Sequence, residues 1–437
     1  MNSAPTCPFR AVLAVATLAL AFFPPVVRAG GFALVEENAA GAGTCWSDAA
    51  AATDASTVFF NPAGLAWLQQ PQVVAAGHLI STSVKYRDTG STTAGLIPLS
   101  GGPAGNAGGV TPLPNLYYGQ PVTKSWAAGV GLSVPWGLST DYAPDWAGRY
   151  QALKSEMRTL NLTAATSWRA NDQLALGFGL QVQRASVELS NAIDFGLVGY
   201  QMGLSAWFPG SHDGTVSVKG SDTASGIVAG LLYEPQPGTR LGFSYRSKLT
   251  HSFNGDATFT GVPAPFAAAF PDQKARSSLS TPTTLSVHAM QDWGAWVFTA
   301  NATWWQFSSF KTLAVDFENP ATPDVAQAQD WKNAGIYSFG AAYRFSKEIT
   351  VRFGAAYNPS PVPDAERRTP RIPDSDRHWL SLGATWQPAP GITLQAGYVH
   401  LFFSDAPVNN TDAFTHNLRG NFTTSADILS VQGTLLF

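Results

Sequence analysis

From about residue 70 onward, apolar and polar residues alternate with the period of two expected of a β-strand. In ITVRFGAAYN, Ile349, Val351, Phe353, Ala355 and Tyr357 fall on one face and Thr350, Arg352, Gly354, Ala356 and Asn358 on the other. RLGFSYRS sets Leu241, Phe243 and Tyr245 against Gly242, Ser244 and Arg246; ITLQAGYVH sets Ile392, Leu394, Ala396 and Tyr398 against Thr393, Gln395 and Gly397. The pattern predicts about 14 strands, near 71–86, 113–122, 126–139, 157–170, 173–190, 222–234, 238–254, 279–291, 295–308, 335–346, 349–358, 377–387, 391–404 and 425–437.

Alternation alone suits a soluble sandwich or a membrane barrel, since each has one face in an apolar setting. The connections separate the two. Short turns such as AND (170–172) and PQPG (235–238) alternate with long excursions at 88–112, 191–221, 255–278 and 309–334. Turns on one side and loops on the other are the mark of an outer-membrane barrel. No window after the leader holds about 18 uninterrupted apolar residues, so a helical span is not expected. The expected fold is an all-β transmembrane barrel of about 14 antiparallel strands over residues 70–437, in the bacterial outer membrane. The chain stops on ILSVQGTLLF, and Phe437 suits a closing strand with a terminal aromatic at the interface, the end through which barrel-assembly machinery would act.

Two segments before residue 70 break the pattern. Residues 1–29 carry Arg10, an apolar run from Ala11 to Phe23, and Val27-Arg28-Ala29. These predict a signal peptide cleaved after Ala29; the alternative is an uncleaved anchor, for which the run is short. Residues 30–69, GGFALVEENAAGAGTCWSDAAAATDASTVFFNPAGLAWLQ, hold no strand of spanning length. Short helices are expected near Asp48–Thr53 and from Pro62 onward, with Asn61 capping and Pro62 at the first helical position. A lumen about 14 strands around is too wide for its own side chains to fill. A small helical N-terminal hatch plugging it is the reading for 30–69.

Composition narrows the function. Of 26 basic residues two lie in the leader, leaving 24 against 29 acidic and a formal charge of −5. No nucleic-acid partner is expected without a basic footprint. Cys45 is the only cysteine left after cleavage, so no internal disulfide can form, and among Ala, Gly and Thr it reads as a buried filler. The seven histidines are scattered, with no Walker loop, HExxH or GxSxG. The chain is not read as an enzyme, and no cofactor or metal is expected.

Gly31-Phe32, Asn61-Pro62-Ala63, YRSKLTHSFNG (245–255) and SPVPDAERRTPRIPDSDRHWLSLG (360–383) together resemble the FadL/TodX family of outer-membrane transporters for long-chain fatty acids and hydrophobic compounds. The resemblance runs over essentially the whole mature chain, with the loops, 191–221 above all, matching poorly. It implies a substrate pocket at Phe32, Arg184 and Lys332, the two cations beside a substrate carboxylate. Arg184 could instead form a lumen salt bridge, for instance with Glu188. It implies a hatch motif at Asn61, Pro62 and Ala63, and a lateral opening at Pro135, Trp136 and Gly137, where the third strand bends inward. Pro135 and Gly137 weaken a ladder on their own account, though Pro135 could be a rim proline.

Two loops are unusually apolar, AIDFGLVGYQMGLSAWFPG (192–210) and FTGVPAPFAAAFPD (259–272). Exposed apolar patches mark binding, and the resemblance makes these the capture loops, with Trp207, Phe208, Phe266 and Phe270. The alternative is that they pack on each other as a lid. IPDSDR (372–377) reads as an ion-pair cluster on the wall or rim. The expected function is passive uptake of long-chain fatty acids or similar compounds by loop capture, an inner pocket gated by the hatch, and lateral release into the bilayer. Alternatives are an aromatic hydrocarbon or alkane channel of the same family, or a general porin. Expected partners are the hydrophobic substrate, outer-membrane lipid and lipopolysaccharide; the expected state is a monomer.

Overall fold

The computed structural model describes residues 31–94 and 97–437; the expected signal peptide lies outside the described residues. Fourteen antiparallel strands form one closed barrel. They are β1 (Gln72–Asp88), β2 (Val110–Pro121), β3 in two pieces (Trp126–Ser133 and Gly137–Asp141), β4 (Lys154–Arg169) and β5 (Leu174–Asp194). Then come β6 (Asp213–Gln236), β7 (Thr239–Arg246 and Leu249–Thr260), β8 (Gln273–Thr281 and Thr284–Trp293), β9 (Trp296–Trp305) and β10 (Ala334–Arg344). The last are β11 (Ile349–Asn358), β12 (Arg377–Ala389), β13 (Ile392–Phe403 and Ala406–Thr411) and β14 (Asn417–Leu436). β14 returns to β1, with Leu436 opposite Gln72 and Gly420 opposite Asp88.

Six turns (122–125, 170–173, 237–238, 294–295, 345–348, 390–391) close one end, and seven longer connections the other. The apolar faces point outward. Phe353, Leu382 and Leu180 are 46, 57 and 60% exposed, while Ser381 and Gln181 on the opposite faces are buried. Such a surface is stable only against lipid, which is why the barrel must pair its backbone within itself. At the short-turn end Trp126 stacks on Trp168 with centroids 6.3 Å apart and Trp296 packs on Tyr343 at 4.7 Å, with Trp293 and Trp386 also exposed. Indoles and phenols favour a membrane interface because one part is apolar and one polar.

Residues 31–70 fill the lumen with short pieces: α1 (Ala39–Ala42), α2 (Thr57–Phe60) and 3₁₀ turns at Ala49–Ala51 and Pro62–Trp67. None would hold as an isolated helix at that length; each is fixed from outside. The Asn38 side chain accepts from Gly41 N–H at 2.9 Å. Asn61 accepts from Ala63 N–H at 3.1 Å and donates through Nδ2 to the carbonyls of Leu231 at 3.0 Å and Phe243 at 3.3 Å, so the cap also rivets the turn to β6 and β7. Gln432 of β14 accepts from Ala39 N–H at 2.9 Å and donates to Asp54 at 2.8 Å. Ser47 meets Thr299 at 2.7 Å, and Cys45 N–H donates to Ser381 Oγ at 3.1 Å. The barrel makes room by omitting side chains: a Cβ on Gly177 or Gly230 would overlap the backbone of Pro62 and Ala63 or the Asn61 side chain.

Candidate functional site

The wall is interrupted between β2 and β3. β2 pairs with β3 only from Leu116 opposite Leu132 to Pro121 opposite Ala127, whereas the second piece of β3, Gly137–Asp141, pairs with β4 alone. Val110–Asn115 of β2 therefore has a partner on the β1 side only. Between the two pieces Val134, Pro135 and Trp136 leave the sheet, where a proline without a ladder donor is least costly. Thr159 of β4 holds the break from one side: its Oγ1 donates to the Trp136 carbonyl at 2.7 Å and accepts from Trp136 N–H at 3.1 Å.

The hatch holds it from the other side. Leu34 N–H donates to the Pro135 carbonyl at 2.9 Å and Gly137 N–H to the Phe32 carbonyl at 3.0 Å, which sets Ala33 directly opposite Trp136. Phe32, 2% exposed, anchors this short ladder in an aromatic cluster, its ring centroid 5.1 Å from Phe307 and 5.8 Å from both Trp136 and Trp331. Asp374 Oδ2 accepts from Gly31 N–H at 3.1 Å and from Ser360 Oγ at 2.8 Å, while Oδ1 pairs with Arg377. The IPDSDR cluster thus includes an ion pair, and one of its carboxylates receives the start of the hatch.

Behind the gap lie two adjacent carboxylates. Asn115 Nδ2 donates to the Glu36 carbonyl at 2.7 Å and Tyr117 Oη to Glu37 Oε2 at 2.7 Å. Among the described residues, Glu37 Oε1 has no hydrogen-bond partner. Burial pushes both groups up, Glu36 to about 7 and Glu37 to about 8, because the charged form loses its water. Hydrogen bonds to Glu36 and the Tyr117 bond to Glu37 pull the other way, as do the Arg377 and Arg246 charges.

Next to the gap is a cavity of about 730 Å³, counting the part open to solvent. Its hatch side is apolar, with Leu34, Val35, Phe59 and Phe60, and continues through Trp136 and Trp305 into the Phe32 cluster. The wall side is polar, with Ser244, Ser286, His288, Asn301 and Ser338, and carries one permanent cation, Arg246. Arg246 donates through Nη2 to the Phe59 carbonyl at 3.0 Å and through Nη1 to Gln181, with its guanidinium 4.5 Å from the Phe59 ring centroid. Among the described residues no carboxylate forms an ion pair with it.

Pro62, Pro135 and Trp136 line this cavity from the lumen side, and Phe32, itself absent from the lining, packs against Trp136 within the lumen. Arg184 does neither. On β5, Gln183 and Ala185 are buried toward the lumen, so the two-residue period puts Arg184 on the outer face with Val182 and Leu180. It donates to Ser221 Oγ at 3.1 Å. The alternative pair with Glu188 is not formed either, since Glu188 binds Lys154 at 2.9 Å and Lys219 at 3.2 Å. Lys332 is exposed on the connection before β10, beside the buried Trp331 but absent from the cavity lining.

In the two apolar loops, Phe266 stacks on Phe195 at 5.2 Å, Phe270 meets Phe195 edge-on at 5.1 Å and Trp207 meets Phe266 at 5.3 Å. The loops pack on each other, with Phe208 left 61% exposed. Sequence reasoning passed over Glu36, Glu37 and Arg246. Arg246 was within reach, because the alternation in RLGFSYRS places it opposite Leu241, Phe243 and Tyr245.

The sequence model of the family described as "Outer membrane protein transport protein (OMPP1/FadL/TodX)" matches residues 20–437. An outer membrane protein of Neisseria meningitidis serogroup B is 28% identical, over 97% of this chain and 98% of its own length. The long-chain fatty acid transport protein of Escherichia coli O6:H1 is 26% identical, over 88% and 90%. The crystal structure of a Pseudomonas aeruginosa FadL homologue superposes with a TM-score of 0.87 at 24% identity, covering 93% of this chain and all of the other. Closed barrel, plugged lumen, interrupted wall and family match agree: this chain belongs to the OMPP1/FadL/TodX family and is an outer-membrane transporter of hydrophobic compounds.

Proposed function

We propose that the protein carries long-chain fatty acids, or amphiphiles of the same form, passively from the cell exterior into the outer membrane. The observation that supports this most directly is Arg246, a buried guanidinium with no carboxylate in ion-pair contact among the described residues, on the wall of a cavity whose opposite side is apolar. A buried cation favours a carboxylate because solvent screening is weak there, and the aromatic cluster around Phe32 takes an apolar chain. Arg246 replaces Arg184 and Lys332 in this reading as the carboxylate partner.

Exit is lateral. The hatch is tied to the wall at Asn61, Ser47, Cys45 and Gln432, so expelling it whole means breaking all of these bonds together. The stretch from Phe32 to Glu37 is held to β3 by two backbone bonds, and its displacement joins the cavity to the interrupted wall. A molecule leaving there enters lipid, a downhill step for an apolar chain.

The aromatic rings of Phe32, Trp136, Phe307 and Trp331 favour a second reading, an uncharged aromatic substrate. The two are separated by uptake of labelled oleate and labelled toluene in cells lacking their own carrier. A charge-assisted hydrogen bond is worth about 1.5–3 kcal/mol, so Arg246→Met should lower oleate uptake roughly ten- to hundredfold and Arg246→Lys much less. Oleate uptake indifferent to Arg246→Met, or toluene uptake alone, contradicts the fatty-acid reading.

A further inference from the structure

The outer face of β4 to β8 changes character along a line that passes between Leu160 and its neighbour Arg184. Below it Leu160 and Leu162 of β4, Leu180 and Val182 of β5 and Ile227 of β6 are exposed. Above it stand Arg158, Arg184, Lys219, Lys274 and Arg276, all exposed. Register fixes the alignment: Arg184 is opposite Leu160 on one side and Thr223 on the other, and Ser221 is opposite Asn254, which is in turn opposite Arg276. The crest lies on the side of the long loops, directly above the apolar band. An apolar band on this scale must sit in acyl chains, so the first charged row above it sits among headgroups, and long basic side chains at that level reach for anionic groups.

Carboxylates are interleaved but do not cancel the row. Glu156 pairs with Lys154 and Arg158, Glu188 with Lys154 and Lys219, and Asp256 with Lys274. Among the described residues neither Arg184 nor Arg276 forms an ion pair; Arg184 has Ser221, and Asp316 stands opposite Arg276 in register without bridging to it. Two guanidiniums with β6 and β7 between them, over a greasy wall and flanked by three lysines, match a lipid whose headgroup carries more than one phosphate. Guanidinium forks take phosphate oxygens in pairs, and Lys154, Lys219 and Lys274 supply additional point charges.

We propose that this crest, centred on Arg184 and Arg276, binds the phosphates of a phosphorylated glycolipid of the outer leaflet, whose acyl chains lie on Leu160, Leu180, Val182 and Ile227. The full chain, purified in a mild detergent, is titrated with diphosphoryl lipid A, with the same lipid stripped of its phosphates, and with inorganic phosphate, and bound lipid is counted by native mass spectrometry. Wild type should hold diphosphoryl lipid A about tenfold more tightly than the stripped lipid. Arg184→Ser/Arg276→Ser should lose that advantage and Arg184→Lys/Arg276→Lys should keep most of it, each with an unchanged melting temperature. Equal retention by wild type and the serine variant overturns the proposal, as does retention of the stripped lipid as strong as that of the phosphorylated one. Binding of inorganic phosphate that depends on the two arginines reassigns the site to free anions and overturns it too. If the serine pair does not fold, Arg184→Gln alone carries the same comparison.

Discussion

Leu34 donates its backbone N–H to the carbonyl of Pro135 at 2.9 Å, so the start of the hatch occupies the ladder position that β2 leaves vacant beside β3. The residue that interrupts the wall and the segment that covers the interruption are therefore one hydrogen-bonded unit. Releasing the hatch start would leave the break in β3 without its two backbone partners.

Protonation should act on this unit. Burial holds Glu36 and Glu37 protonated to about pH 7 and about pH 8, against 4.5 for a free glutamate. A carboxyl whose value is raised in the docked state binds more protons there than when released, so docking weakens as pH rises. The contribution is full below about 4.5, falls progressively above it and levels off past about 8. Single-channel recordings in planar bilayers from pH 5 to 9 should show openings growing more frequent with pH, and Glu36→Gln/Glu37→Gln should flatten the trend. A trend unchanged in the double variant removes the carboxylates from the gate.

Packing supplies a second test. A methyl on Gly230 would overlap the Asn61 side chain, and overpacking of this kind costs about 1–3 kcal/mol. Gly230→Ala should lower the thermal midpoint and loosen the hatch, seen as faster hydrogen exchange at residues 57–67. Gly77→Ala, where a methyl meets nothing within 4 Å, is the control and should leave both unchanged.

Arg184 supplies the third. Because it faces outward beside Val182, Arg184→Ala should leave oleate uptake within about twofold of wild type, whereas losing a charge-assisted hydrogen bond at the buried Arg246 costs about 1.5–3 kcal/mol. A large loss on Arg184→Ala, measured in the same cells as Arg246→Met, would return it to the pathway.

Phe32 anchors the hatch start, and truncating a buried phenylalanine costs about 3–5 kcal/mol. Phe32→Ala should therefore raise basal conductance in planar bilayers while the barrel still folds and migrates as a heat-modifiable species. Conductance as low as wild type means that the backbone bonds to β3 suffice to keep the gap covered.

The barrel was legible because its signals are local. Alternation in ITVRFGAAYN and ITLQAGYVH, the shortness of PQPG against the 191–221 excursion, and the Asn61-Pro62 start each rest on a few consecutive residues. The site was less legible because it is assembled from distant ones: Arg246 reaches Phe59 across 187 positions, and Asn115 reaches Glu36 across 79. Arg184 is a different case. In LQVQRASVEL the two-residue period sets Gln181, Gln183 and Ala185 against Val182 and Arg184, whereas the family resemblance implies a pocket position for Arg184. Lys332 lies on a connection where no period exists to guide the choice.

In the proposed route the hatch start must leave β3 for substrate to pass. Ala33 and Trp136 are directly opposed as a non-hydrogen-bonded antiparallel pair, whose Cα atoms stand about 4.5 Å apart, within reach of a disulfide. Ala33→Cys/Trp136→Cys on a Cys45→Ser background, compared with each single cysteine, therefore locks or frees the unit at will. Oleate uptake should fall to background when the pair is oxidised and return on reduction. Uptake that continues unchanged through the oxidised pair would mean that substrate passes with the hatch start still bound to β3.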